Sequence, residues 1–362
     1  MHGTRLTPPP RGRVRYKEPM APTRAAPKGL TVAVTGPTGE IGRAFVSALE
    51  RSRAVARVLG MARSPFDPAA RGWKKVSYRR GDVLDEGAVS SLVKGADVLV
   101  HLAFIIMGSP SESRRVNLDG SRNVFDAAAS AGVERLVYAS SVAAYGFHRD
   151  NPQPLTEDVA ARGTSSHYYS AQKAEVEELL AQALDGSATE AYVFRPCVVA
   201  GGDAPALVDN LPYTQISARL PEPLVGLLDG IPAIKPVLPD PGITFQLVHH
   251  DDVATAMRAA VLGRGAPGVY NLAGPGQLTI KQLADELGWY SIPVPELAVD
   301  AIADTLARLE FLPPQVQWIS AFREPVIMDT SKARRELGWR PKHDALATLR
   351  ETISATRQDP PS

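Results

Sequence analysis

Apolar positions along the chain alternate between two periods. Residues 30 to 35, LTVAVT, form a short β-rich apolar run that ends at Gly36, the pattern of a buried strand. The next stretch, EIGRAFVSALERS, places Ile41, Phe45, Val46 and Leu49 on one helical face. The cycle recurs: VARVLGMA, KKVSYRRGDV and ADVLVHLA read as strands, RRVNLDGSRNVFDAAASAG as a helix, and RLVYASS and EAYVFRP as further strands. Strands that alternate with helices imply right-handed crossovers, so the expected fold class is α/β, a Rossmann-type doubly wound parallel sheet. Between Cys197 and Gly242 prolines accumulate and the period is lost. The expected layout is a main domain of residues 29–196 plus 243–274, a smaller C-terminal lobe of residues 197–242 plus 275–345, and a C-terminal tail at 346–362.

Composition narrows the classes of partner. The 362 residues carry a net charge of +1, which offers neither a nucleic-acid face nor a surface for anionic lipid, so a small molecule is the expected ligand. One cysteine, Cys197, excludes an intrachain disulfide and fits a reducing cytoplasm. The longest apolar run, Val98 to Met107, contains His101 and is well short of the ~18 residues of a spanning helix, so no membrane segment is expected. Residues 1–28 hold six prolines, seven Lys or Arg and a single acid, Glu18; they read as a disordered basic leader.

Chemistry enters with TGPTGEIG. Gly36, Gly39 and Gly42 close a strand and open a helix, where they permit a tight turn, a backbone approach to a pyrophosphate and close packing of helix on strand. This context predicts a dinucleotide site. An acid about 20 residues further on selects a ribose 2′-OH and an arginine a 2′-phosphate. The chain reads GMARSP there, with Arg63 and no acid, so the expected cofactor is NADP or NAD, with NADP favoured.

A second constellation lies in YSAQK. At 3.6 residues per turn Tyr169 and Lys173 share a helix face, while Tyr168 points away from it. A phenol is a weak base at neutral pH, but a nearby ammonium and a nicotinamide cation both favour phenolate and would bring its pKa toward the working range. Ser141, at the end of RLVYASS, could donate to the same substrate oxygen, and strand alternation turns Ser140 to the opposite face.

In these motifs the chain resembles the extended short-chain dehydrogenase/reductase superfamily, the NAD(P)-dependent epimerase/dehydratase family. TGPTGEIG, GDV, HLA, VNLDGSRNV, ASSVAAYG, YSAQK, FRPCVV, VHHDDVA and YNLAGP occur in family order between about Leu30 and Pro341. The resemblance implies a catalytic set of Ser141, Tyr169 and Lys173. It also implies cofactor contacts along Gly36, Thr38, Gly39, Glu40, Ile41 and Gly42, and at Arg63, Asp82, Val83, Leu102, Ala103, Asn117 and Pro196, with Lys173 holding a ribose hydroxyl. The smaller lobe becomes the substrate-binding lobe. The implied reaction is hydride transfer between nicotinamide and a secondary alcohol or its ketone. Net oxidoreduction, or epimerisation or dehydration of a nucleotide sugar, both use that step, and a non-catalytic NAD(P)-binding sensor is the alternative of another class. Phe104, Ile105, Ile106 and Met107 follow HLA where sugar-nucleotide members carry a polar loop, which points to a less polar substrate, and SSVAAYG lacks the acidic pair expected of a dehydratase.

The resemblance also suggests a homodimer through the helices around Asn117–Ala131 and Lys173–Leu184, whose apolar stripes exceed what one sheet face needs. His249, His250, Asp251 and Asp252 read as a helix-capping segment rather than a metal site, Cys197 as a buried hydrophobe, His101 as a packed residue near the cofactor, and the acids of KAEVEELLAQAL as a solvated helix face.

Overall fold

A computed structural model of the protein describes residues 29–211, 213–214, 235–295 and 325–358. The basic leader at 1–28 and much of the irregular stretch after Cys197 lie outside the described residues.

Seven strands form one parallel sheet. They are β1 (Leu30–Thr35), β2 (Val55–Ala62), β3 (Val76–Arg80), β4 (Val98–His101), β5 (Arg135–Ala139), β6 (Glu190–Pro196) and, at one edge, the strand Gly268–Leu272. The order runs from Gly268–Leu272 through β6, β5, β4, β1 and β2 to β3. The chain therefore winds outward in both directions from the gap between β1 and β4, and the strand ends there are where doubly wound sheets bind ligands.

Side-chain alternation decides what covers each face. Val32 and Val34 of β1 join Phe45 and Leu49 of helix α1 (Glu40–Glu50) and Val253 and Met257 of helix His250–Val261. Ala33, on the other face, joins Leu99 and Leu136 and the helices α2 (Glu86–Val93), α4 (Gly120–Ala131) and α5 (Tyr168–Ala183) through Val89, Phe125 and Leu180. A short helix α3 (Pro110–Arg114) and a wide turn at Arg115–Asp119 lead into α4. Both faces of the central strands are thus covered, as their continuous apolar runs require, whereas β3 at the edge has no buried residue.

Two expectations change. The segment read as a tail is a helix, Ala345–Gln358, whose Leu349 and Ile353 are buried in a third core with Phe245, Leu247 and Leu283. Its apolar residues Leu349 and Ile353 recur at i and i+4 and close that core. The stripes on α4 and α5 are also accounted for within one chain: Val124, Phe125 and Ala128 of α4 and Val176, Leu179 and Leu180 of α5 are buried, and outward positions such as Arg122, Asp126, Glu178 and Gln182 are polar or charged. The large exposed hydrophobics among the described residues, Ile106, Val237, Tyr290 and Ile292, lie elsewhere, so the surplus apolar surface expected for a dimer is not found on these helices.

Candidate active site

The glycine turn has the geometry its sequence demands. Gly36 has φ +72°, and a Cβ there would come within 2.8 Å of Ala103 N; a Cβ at Gly42 would come within 2.2 Å of Gly36 O. Neither position accepts another residue without movement of backbone. Gly39 is the N-cap of α1 and offers no side chain to cap it, so the helix opens with backbone N–H groups and its positive dipole end toward the loop. These features fit the pyrophosphate of a dinucleotide. Glu40 does not point to a free ligand: its carboxyl accepts from Ala206 N at 3.0 Å, and burial pushes its pKa up. Arg43 anchors the same turn by donating to Thr38 O at 3.1 Å and Asp203 O at 2.6 Å.

Around the turn, Leu102 N donates to Thr35 O at 3.1 Å, which seats Leu102 and Ala103 beside Gly36. Asp82 accepts from Leu84 N at 3.0 Å, and Val83 packs on Gly120, where a Cβ would come within 2.5 Å of its side chain. Arg63 stands just beyond β2, with its side chain 52% exposed and Glu112 3.8 Å away. Asn117 is not aimed into open space: its amide donates to Ile105 O at 2.9 Å and Gln172 Oε1 at 2.8 Å, and its carbonyl accepts from Ile105 N at 2.8 Å. It pins the loop after β4 to α5. Pro196 ends β6 in register with Leu272.

The three expected catalytic side chains meet at the ends of β5 and α5. Ser141 caps the short turn Val142–Tyr145, accepts from Ala143 N at 3.2 Å, and is hydrogen-bonded to Tyr169. Tyr169 and Lys173 lie on the buried side of α5, 7% and 3% exposed. Lys173 Nζ donates to Ala139 O at 2.9 Å and Tyr138 Oη at 3.3 Å, and sits 3.6 Å from the Phe104 ring centroid and 5.8 Å from that of Tyr169. Within the chain itself, burial outweighs the charge of the neighbouring lysine at Tyr169. Burial pushes the Tyr169 phenol up to about 12 and the Lys173 ammonium down to about 7, because each charged form has lost water. Each shift is toward the neutral form, although a pKa of about 7 still leaves Lys173 substantially an ammonium at neutral pH.

Tyr138, Ala139, Glu177 and Arg195, which surround this set, were not identified from sequence, whereas His101 packs as expected. Tyr138 and Ala139 supply the lysine's oxygen acceptors. Glu177, read as part of a solvated face, is nearly buried. It accepts from Ser140 at 2.5 Å and from Arg195 Nε and Nη2 at 3.0 and 2.5 Å, while Arg195 also donates to Val159 O and lies 4.3 Å from the Tyr145 ring centroid. The spacing of Glu177 four residues after Lys173 is visible in the chain; its arginine partner is not. His101 bridges Thr35 Oγ1 at 2.7 Å and Ser121 Oγ at 2.9 Å, and burial lowers its pKa to about 3, so it packs as a neutral ring.

The His249–His250 segment caps its helix and also gathers distant partners. His249 Nδ1 accepts from Asp251 N at 3.2 Å, so Nε2 carries the proton and faces Glu351 Oε2 at 3.2 Å. His250 Nε2 accepts from Asp203 N at 3.2 Å. Although His249, His250 and Glu351 could in principle surround an ion, the acceptor nitrogens of both rings are already engaged. Cys197 is buried, which pushes its thiol pKa up and leaves it inert.

A profile of the NAD dependent epimerase/dehydratase family matches residues 32–273, and the chain belongs to that family. An uncharacterized protein of Sinorhizobium fredii is 25% identical over 333 residues, 90% of this chain and 78% of that protein. Ceramide reductase of Caulobacter vibrioides is 32% identical over 237 residues, 64% of this chain and 62% of the reductase. Among solved structures, a dTDP-glucose 4,6-dehydratase of Streptomyces venezuelae with NAD bound has a TM-score of 0.69 at 21% identity, covering 91% of this chain and 98% of the dehydratase. That likeness is one of fold. No described helix is long and apolar enough to cross a membrane.

Proposed function

We propose that the protein is an NAD(P)-dependent oxidoreductase that interconverts a secondary alcohol and its ketone on a small, weakly polar substrate. The observation that carries this reading is the convergence of Ser141, Tyr169 and Lys173 beside an aromatic wall, Phe104, whose ring meets Tyr169 edge to face at 5.7 Å. The glycine turn and α1 would hold the pyrophosphate, Lys173 a ribose hydroxyl, and the bound nicotinamide would supply or accept the hydride.

The chain's own groups handle the oxygen and the proton. A carbonyl oxygen that displaces the mutual Ser141–Tyr169 hydrogen bond receives one from each hydroxyl. Ser141 then fixes the oxygen, held in turn by Ala143 N–H. Tyr169, kept protonated by burial, is in the form that donates to the oxyanion formed when a ketone is reduced. For the reverse direction the phenol must ionise, which positive charge nearby favours.

Likeness to ceramide reductase, which acts on a lipid as its name states, supports the weakly polar substrate, as does the half-buried row Phe104, Ile105 and Met107 with the exposed Ile106 among them. A second reading, nucleotide-sugar epimerisation or dehydration, is supported by the fold-level likeness to the dTDP-glucose dehydratase, but Val142 and Ala143 stand where acids after the serine are expected.

The test is a screen of ketones and secondary alcohols, long-chain and sugar-linked, with cofactor absorbance as readout and Tyr169→Phe as the decisive variant. Turnover should fall by roughly 10²- to 10⁴-fold, with cofactor affinity almost unchanged. Full activity in Tyr169→Phe would remove the tyrosine from the mechanism and favour a non-catalytic sensor.

A further inference from the structure

A lysine ammonium has three N–H donors. Two of those of Lys173 have oxygen acceptors, Ala139 O and Tyr138 Oη, and the ammonium also lies against the face of Phe104, 3.6 Å from Nζ to the ring centroid. That is a close cation–π contact in a site from which water is largely excluded; Lys173 is only 3% exposed. The ring covers the side of the ammonium that has no oxygen acceptor.

The backbone on both sides of Phe104 is fixed. Leu102 and Ala103 are seated against Gly36 by the bond from Leu102 N to Thr35 O, Ile105 is held at both its N–H and its C=O by Asn117, and the Tyr168 hydroxyl donates to Ile106 O. Tyr168, which the helical spacing alone leaves idle, is thus one of the anchors. Opening the loop as a lid would break those bonds, whereas a change of rotamer at the half-buried Phe104 side chain breaks none of them.

We propose that Phe104 is an affinity-determining residue of the cofactor site: its ring caps Lys173 and must rotate away before a ribose hydroxyl can reach the ammonium. The inference rests on the reading above, that Lys173 holds that hydroxyl. The cofactor's binding energy is reduced by the contact it displaces, so the aromatic ring at this position weakens dinucleotide binding while shielding the ammonium in its absence.

The experiment is calorimetric titration of NAD and NADP into the full-length protein and into Phe104→Ala, Lys173→Met and the double variant, with thermal melts to verify folding. Phe104→Ala should bind roughly 2- to 30-fold more tightly, the range a cation–π contact represents. In the Lys173→Met background the same change should shift affinity less than about twofold, because the ammonium it uncovers is gone. Phe104→Leu keeps apolar volume without the π-face and carries the same test if the alanine variant does not fold. Weaker or unchanged binding in Phe104→Ala would overturn the proposal, as would equal tightening with and without Lys173. If the wild type binds a dinucleotide and Phe104 substitutions change nothing, the cap fails while the cofactor reading stands; if no form binds either dinucleotide, both fail.

Discussion

Lys173 and Arg195 are two cations buried to the same degree, each 3% exposed, on adjoining elements of the same strand-end cluster. Their partners differ in kind. Arg195 has a carboxylate in two-point contact, a carbonyl and an aromatic face, and its pKa is raised above its ordinary value, its own burial offset by Glu177. Lys173 has a carbonyl, a phenol and an aromatic face but no carboxylate in contact, and its pKa falls to about 7. Burial alone therefore does not mark a functional charge. What distinguishes Lys173 is that its charge is left uncompensated, so a ligand or a proton can still change it.

The largest test of that contrast is to remove the compensation from Arg195. Glu177→Ala leaves a guanidinium buried without its carboxylate and should lower stability by about 3–5 kcal/mol, measured by chemical denaturation. A loss below about 1 kcal/mol would show that Arg195 is solvated in some other way and that the two cations are not as different as their contacts indicate.

A smaller effect should follow from pH. Lys173 has a folded pKa of about 7 against 10.5 for the free side chain, so between those values the unfolded chain holds a proton that the folded protein does not. Stability should rise with pH through that window, and the contribution should be lost as pH falls through about 7. Lys173→Met abolishes this slope, so its stability advantage over the wild type should be greatest near pH 7 and shrink toward pH 10. Parallel stability curves for the two proteins would show that the lysine is charged when folded.

The smallest effect concerns Arg63, the exposed counterpart of both. Its contact with Glu112 at 3.8 Å, with both side chains more than half exposed, is worth about 0–1 kcal/mol and is easily given up to a 2′-phosphate. Arg63→Ala should weaken NADP binding by roughly three- to tenfold and leave NAD binding unchanged. A clear NAD preference in the wild type, unaltered by the substitution, would remove Arg63 from cofactor selection.

The sequence by itself determined the strands β1, β2 and β6 almost residue for residue, the glycine turn and the shared face of Tyr169 and Lys173, because each depends on a repeat of two or 3.6 residues or on a backbone angle that glycine permits. Tertiary structure decided the environment of those residues. Glu177 looked solvated until Arg195, 18 positions on, was brought against it; the helix Ala345–Gln358 looked like a tail until Leu349 and Ile353 were packed against Phe245 and Leu247; and His249 looked like a cap alone until Glu351, 102 positions away, faced it. Likewise burial pushes the Tyr169 phenol up and the Lys173 ammonium down, since spacing records which groups are neighbours along a helix but not how much water the rest of the chain removes from them.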